Sequence, residues 1–261
     1  MTGSHSRHLY LADKLHRSGL LKGLVIERRE AFVPSPPPGL QPMDEANFVR
    51  HFRDREHAEH RFFGPAEQFR FDGLDVCEVN PEELNGARLQ AWIVAREPDF
   101  VVSYGVHKIS NDMLDVFPPI AWNVHGGLSP WYRGAITLFW PFYFLKPNWA
   151  GMTIHRLTSK LDGGGIIHHS VPRLERGDGI HDTACRAVQQ VAEDLVTILR
   201  LVAGGAQIAE VPQKSSGKLF LAEDWKPEHL RLIYNLFDND IVDHFLDGKL
   251  GHHEPPLVRA F

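Results

Sequence analysis

Cysteine is scarce in this sequence. Cys77 and Cys185 are the only two among 261 residues, and their separation matches no metal-binding or redox spacing. Such a pair argues against a disulfide framework and against a cysteine-ligated metal site. It is typical of a protein kept in a reducing compartment, so a cytoplasmic location is expected.

Long apolar runs are also absent. The most apolar stretch, residues 135–145, is too short to span a bilayer and contains Pro141. It predicts a buried helix instead. The first residues do not resemble a secretory signal, and no membrane partner is expected.

An excess of positive charge is missing as well. Lysine and arginine total 28 against 33 acidic residues, a net charge of -5, which disfavours a nucleic-acid partner. The 43% hydrophobic and 23% charged content is ordinary for a globular chain. The length suits one domain, expected at residues 1–209, followed by a small C-terminal extension at 210–261.

Short apolar strands alternate with helical patterns along the chain. This alternation predicts an α/β fold, an open and mostly parallel twisted sheet with helices on both faces. A strand pair joined by a glycine-rich loop should follow near residues 152–171. The predicted strands lie at 24–26, 75–79, 100–104 and 120–124, and the predicted helices at 47–63, 80–96, 110–117 and 182–203.

The N-terminal pattern starts with a helix rather than a strand. Apolar positions 9, 11, 12 and 15 predict a helix that begins after Ser4, and no strand is evident before it. A first strand is therefore expected to be missing, which would leave a gap or an unpaired inner edge beside strand 24–26. The loop at Ser4 is either an anion site built from free N–H groups or a plain helix cap.

The strongest chemical pattern lies between residues 123 and 166. Asn123 and His125 are two apart on an extended segment, so their side chains point the same way; His155 follows, and then Asp162 in a glycine-rich loop. An amide that donates to an oxyanion, an imidazole that carries protons and a carboxylate that tunes it suit acid–base work on a carbonyl. The alternative is that Asn123 is a turn residue and His125 a structural histidine.

The ordered pattern Asn-x-His, Leu-x-Pro-x-Tyr-Arg-Gly, a later histidine and Asp-x-Gly-x-Ile resembles the signature of the formyltetrahydrofolate-dependent formyltransferases. The resemblance covers residues 100–167 closely. It implies a Rossmann-like fold, 10-formyltetrahydrofolate as co-substrate, no metal, and a catalytic set of Asn123, His125 and Asp162. It also implies that the folate pterin lies against Tyr104, Gly105, Val106, His107, Lys108, Ile109, Leu161, Gly163 and Gly164.

Two departures from that signature concern the acceptor. Gly126–Gly127 stands where the family more often has Pro-Ser, and Ser129 stands where an aliphatic residue is usual. These positions bear on which amine binds rather than on the chemistry. The expected substrate contacts are Ser4, Gly126, Gly127, Tyr132 and Arg133, although packing is the alternative role for Tyr132 and Arg133, as for His155.

The identity of the formyl acceptor is inferred from the C-terminal extension. Residues 213–220 and Asp224 resemble the start of the C-terminal segment in sugar N-formyltransferases, and acids outnumber bases there, which argues against a tRNA arm. The expected function is N-formylation of a small primary amine, an amino sugar or a nucleotide-linked one. The alternatives are a formyltetrahydrofolate hydrolase, a glycinamide-ribonucleotide-type enzyme or a non-catalytic folate- or nucleotide-binding protein, and a homodimer stays open.

Overall fold

A computed structural model describes residues 1–30, 33–214 and 217–261. Its strands are β1 Thr2–Gly3, β2 Gly23–Glu27, β3 Asp75–Val79, β4 Phe100–Tyr104, β5 Ile120–His125, β6 Tyr132–Gly134, β7 Met152–Arg156, β8 Ile166–Ser170 and β9 Lys218–Phe220. Its helices are α1 Ser6–Arg17, α2 Pro42–Phe63, α3 Ala87–Val94, α4 Asn111–Leu114, α5 Trp140–Tyr143, α6 Ile180–Ala203 and α7 Ile241–Leu246.

Seven strands form one open sheet in the order β3-β2-β1-β4-β5-β7-β8. The first five of these run parallel, whereas β7 is antiparallel to both β5 and β8. Helices cover both faces: α1 and α6 pack in the largest apolar cluster, and α3 and α4 contribute to a second cluster around Met113. The expected open, mostly parallel α/β sheet is confirmed.

The expectation of a missing first strand is wrong, because β1 occupies that place. It is only two residues long, pairing Thr2 with Ile26 of β2 and with Tyr104 of β4. The earlier residues of β2 and β4 consequently have no β1 residue between them. A cavity of about 550 Å³, with Leu24 and Val101 in its walls, lies at that level of the sheet, so the expected gap is present below β1.

Two helix predictions differ from the structure. The pattern at 80–96 forms a short 3-10 turn, Pro81–Glu83, and then α3, because the chain turns at Gly86 before the helix can continue. The apolar stretch 135–145 contains only the four-residue α5, since Ile136 and Leu145 both have φ of 55°, which lies outside the right-handed helix.

The C-terminal residues pack onto the sheet domain. β9 pairs in parallel with β6, and Leu230, Ile233 and Ile241 share an apolar cluster with Trp140 and other residues before 210. The last residues also run along the edge strand β8, where the His169 N–H donates to the Val258 carbonyl at 2.8 Å. That contact covers an edge which would otherwise offer free backbone groups.

Two sequence features fall partly outside the described residues. Of the 213–220 segment, Ser215 and Ser216 lie outside, as do Ala31 and Phe32 in the stretch between β2 and α2. Within the described ranges, no helix combines the length and apolarity needed to cross a bilayer.

Candidate active site

Strand β5 presents Asn123 and His125 on one face of the sheet. Alternation along the strand sends Trp122 and Val124 into the α1–α6 core, so the two polar side chains point away from it. The neighbouring strand β7 places His155 directly opposite Asn123, because the antiparallel register pairs these two residues. Three polar side chains are thereby gathered from two strands.

Asp162 reaches the same face from the loop between β7 and β8. Its backbone adopts φ of 44°, the left-handed region in which a non-glycine residue is strained. Two contacts hold it there: the Gly134 N–H donates to Oδ2 at 2.9 Å, and the Gln213 side-chain amide donates to the Asp162 carbonyl at 2.8 Å. The β6 and tail segments therefore position this carboxylate.

A chain of polar contacts joins these residues. Ser103 Oγ donates to Asn123 Oδ1 at 2.7 Å, and Asn123 Nδ2 donates to His155 Nε2 at 3.2 Å. His155 Nε2 lies 3.5 Å from Asp162 Oδ1, and His125 Nδ1 lies 3.5 Å from Asp162 Oδ2. The structure thus brings together Asn123, His125 and Asp162, the three expected catalytic residues, with His155 between two of them.

The hydrogen bonds assign the protons on both imidazoles. His125 Nε2 contacts the Tyr132 carbonyl at 2.8 Å and must donate to it, so the neutral ring has its lone pair on Nδ1, facing Asp162. His155 Nδ1 donates to the Arg156 carbonyl at 2.9 Å, which leaves its Nε2 to accept from Asn123. A proton taken up by His125 therefore arrives on Nδ1, beside the carboxylate.

The charges of this group follow from burial and proximity. Burial lowers the pKa of His125 and outweighs the opposite effect of Asp162, so the imidazole is neutral at neutral pH. Burial also raises the pKa of Asp162, but His125, His155 and the Gly134 N–H together hold it at about 2. The pair is a neutral base beside a carboxylate that stabilises the imidazolium once the base is protonated.

Two openings meet at this pair. A cleft of about 120 Å³, here named the loop-lined cleft, contains Asn123, His155 and Asp162. A cavity of about 440 Å³, here named the helix-lined cavity, contains His125 and Gly126 and extends to α1, α2 and α6. Val106 lines both, whereas His125 lines only the helix-lined cavity and Asp162 lines only the loop-lined cleft, with 3.5 Å between the two side chains. Each member of the acid–base pair therefore lies beside an opening of its own.

Seven of the nine residues expected around the pterin line one or the other of these openings. Five of them line the loop-lined cleft: Val106, His107, Lys108, Ile109 and Leu161. Tyr104 and Gly105 line the helix-lined cavity instead. Gly163 and Gly164 line neither of the two; a Cβ on Gly164 would strike the Arg156 carbonyl, so this glycine allows the loop to pack close to β7.

Of the five expected substrate contacts, only Gly126 lines the helix-lined cavity. Ser4 Oγ accepts from the Arg29 N–H at 2.9 Å, and a Cβ on Gly127 would press on the Tyr132 carbonyl. Tyr132 is buried against Phe220, and Arg133 Nη2 donates to the Gly217 carbonyl at 3.3 Å. The structure therefore places Ser4, Gly127, Tyr132 and Arg133 in contacts with other parts of the protein, and none of the four lines that cavity.

Sequence reasoning missed several residues of the site. Ser103 holds Asn123 and Gln213 holds the Asp162 loop, and no local pattern marks either residue. Arg7, Arg55 and His181 line the helix-lined cavity from three different helices. Their positions could be found only once the packing of α1, α2 and α6 was known.

Comparison with known proteins gives a consistent result. Residues 50–199 match a family model described as formyl transferase. The fold is similar to the formyltransferase PseJ of Anoxybacillus kamchatkensis, solved with a UDP-linked formamido sugar and tetrahydrofolate, at 23% identity over 84% of this chain and 95% of that one, with a TM-score of 0.52.

Two further solved structures share the fold. Glycinamide ribonucleotide transformylase 1 of Symbiobacterium toebii is 20% identical over 81% of this chain and 91% of that one, with a TM-score of 0.52. An N-formyltransferase of Helicobacter canadensis, solved with folinic acid and dTDP-3-aminofucose, is 12% identical over 86% and 70%, with a TM-score of 0.51.

Proposed function

This chain belongs to the formyl transferase family, and from that membership we propose that it moves a formyl group from 10-formyltetrahydrofolate to the primary amine of an amino sugar carried on a nucleotide. The observation that carries the proposal is the buried His125–Asp162 pair with an opening on each side. PseJ and the Helicobacter enzyme, which share the fold, were solved with nucleotide-linked sugars.

The residues present suit such a reaction. The loop-lined cleft lies between the 106–109 loop and the 157–162 loop and would hold the pterin of the donor, whereas the amine would enter from the helix-lined cavity. The acceptor nitrogen bonds to the formyl carbon, and the bond from that carbon to the donor nitrogen breaks. The Asn123 amide would donate to the oxygen that gains negative charge in between.

Proton transfer falls to His125. Its Nδ1 lone pair accepts the proton that leaves the acceptor nitrogen, and Asp162 stabilises the resulting charge at 3.5 Å. The same proton then passes to the departing donor nitrogen, so the enzyme ends as it began. His155 and Ser103 act as positioning residues, because they hold the Asn123 amide by its Nδ2 and Oδ1.

The cellular location is inferred from the two cysteine side chains. Both cysteines are buried and free, as suits a reducing compartment, and the cytoplasm, where one-carbon reactions of this kind would take place, is part of the proposal.

A turnover assay tests the function. The protein is mixed with 10-formyltetrahydrofolate and a panel of UDP- and dTDP-linked amino sugars, and tetrahydrofolate release and the formamido product are measured. Release that requires an amino sugar supports the proposal. Release without any amine would identify a hydrolase, and release with glycinamide ribonucleotide alone would identify the other acceptor; either result contradicts the proposal.

A further inference from the structure

The helix-lined cavity has an unusual concentration of positive charge at the end formed by α1 and α2. Its described walls hold three guanidinium groups, Arg7, Arg29 and Arg55, against one carboxylate, Glu59. Arg7 pairs with Glu59 at 2.5 Å, and Arg29 pairs with Glu30 at 3.2 Å outside the cavity. Besides His125, the polar walls include the buried histidines His8, His51 and His181.

The histidines do not add to this charge. Burial lowers the pKa of His8 and His181 well below the usual range and that of His51 to about 3, so all three are neutral at neutral pH. The charge therefore belongs to guanidinium groups, which form paired hydrogen bonds with phosphate and carboxylate oxygens.

The surroundings of Arg55 disfavour its positive charge in the protein alone. Burial, and then the charge of Arg7, lower the pKa of Arg55 to about 10, which means that the fold disfavours its charged form. Arg55 also lies over the Phe52 ring, with its guanidinium carbon 5.0 Å from the ring centre. An anion between Arg7 and Arg55 would relieve the repulsion.

Buried polar atoms in the same walls lack protein partners. His8 Nδ1, His181 Nε2 and Glu59 Oε2 are buried and accept or donate no hydrogen bond within the described chain. Since leaving a buried polar group without a hydrogen bond is unfavourable, three in one cavity indicate that a polar ligand completes them. Glu59 Oε2 can only accept, which suits a ligand hydroxyl rather than the anion itself.

We propose that the α1–α2 end of the helix-lined cavity binds a phosphate group of the acceptor through Arg7 and Arg55. The inference rests on the proposed function for the identity of the ligand but not for the presence of an anion site. A phosphate ester can come from a nucleoside diphosphate or from a sugar monophosphate. In either case the phosphate is held away from His125, and the amine end of the acceptor lies toward it.

The test measures equilibrium binding of UDP, dTDP, ribose 5-phosphate and uridine to the full chain by calorimetry. Arg55→Gln is compared with Arg53→Gln, an exposed arginine on the same helix that does not line the cavity. We expect the phosphate ligands to bind and uridine not to bind. Arg55→Gln should weaken phosphate binding about tenfold or more, and Arg53→Gln less than about twofold.

Two readouts separate binding from structure. The melting temperature of Arg55→Gln should be equal to or above that of the wild type, because a repelled charge is removed. In turnover, Arg55→Gln should raise KM for a phosphorylated acceptor while kcat stays nearly unchanged, as expected for uniform binding. Binding of 5-formyltetrahydrofolate should be unaffected.

The outcomes that overturn the inference are distinct from those that overturn the function. The inference fails if wild type binds none of the phosphates, if uridine binds as well as UDP, or if Arg55→Gln binds them normally or loses folate binding instead. If UDP and dTDP bind more tightly than ribose 5-phosphate, the phosphate that this site binds belongs to a nucleoside diphosphate. If ribose 5-phosphate binds more tightly, it belongs to a sugar monophosphate. If phosphates bind but no formyl transfer occurs, the proposed function fails and the anion site stands.

Discussion

At the scale of single residues, the site depends on burial more than on residue type. His125 and Asp162 are only 7% and 8% exposed, and that burial makes the imidazole a neutral base while nearby donors keep the carboxylate charged. The same two residues on the surface would be separated by water and would influence each other weakly. The acid–base function is therefore a property of the pair in its setting.

Removing either member should slow turnover without emptying the folate site. His125→Ala and Asp162→Asn are each expected to lower kcat by about 10² or more, because proton transfer or its counter-charge is lost, with little change in folate affinity. Single-turnover rates and a separate folate titration measure the two effects. Asp72→Asn, an exposed aspartate, is the matched control, and near-normal kcat in either site variant would place the proton carrier elsewhere.

At the scale of elements, the small strand pair β6–β9 controls the Asp162 loop. Gly134 ends β6 with φ of 93°, its N–H holds Asp162, and a Cβ there would collide with the Phe220 carbonyl of β9. The tail of the chain thus supports the carboxylate through a glycine that no other residue can replace without displacing β9.

A pair of glycine variants tests this link. Gly177 has a similar φ of 81°, but no atom lies within 4 Å of the place that a Cβ would take. Gly177→Ala should therefore cost only the left-handed strain of about 1–2 kcal/mol and leave turnover intact. Gly134→Ala should cost more stability and lower kcat at least about tenfold, because the Asp162 anchor moves. If Gly134→Ala and Gly177→Ala had the same effect on urea unfolding and the same effect on turnover, β6–β9 would not be what positions Asp162.

At the scale of the whole molecule, buried neutral histidines link stability to pH. Burial lowers the pKa of His51 to about 3 and that of His169 to about 4. His169 Nδ1 accepts from the Val258 N–H at 2.9 Å, a bond that protonation would remove. Both residues join distant parts of the chain, since His51 also contacts the Tyr234 hydroxyl at 2.9 Å.

Stability should therefore fall as the pH falls below about 6.5. The unfolded histidines take up protons near that pH, whereas the folded ones stay neutral down to about 3 and 4, so the unfolded state binds more protons throughout this window. Each group contributes up to about 1.4 kcal/mol of unfolding free energy per pH unit. Urea unfolding between about pH 7.5 and 4.5 measures the slope.

One variant measures the contribution of His169 to this dependence of the unfolding free energy on pH. His169→Gln keeps a side-chain donor for the Ser129 carbonyl but removes the titration, so the slope should decrease by about 1.4 kcal/mol per pH unit. His57→Gln, at an exposed position, should leave it unchanged. A flat profile in the wild type would contradict the assignment of neutral buried histidines.

The sequence by itself determined the layered sheet, because apolar alternation and helical periodicity are local properties. Strands 75–79 and 100–104 are predicted to the residue, and the i,i+2 spacing of Asn123 and His125 on one strand already places both side chains on one face. The two-residue β1 is too short to produce a pattern, and Gly86 divides a helix that looks continuous in the sequence.

Tertiary structure alone decided the contacts that create the site. The β5–β7 register sets His155 beside Asn123, the loop fold brings Asp162 to His125, and the packing of α1 against α2 puts Arg7 near Glu59, 52 positions along the chain. No local sequence pattern specifies these three contacts, because each depends on the free energy of packing the whole core. The burial that keeps His125 neutral and the contacts that keep Asp162 charged likewise exist only after the chain has folded.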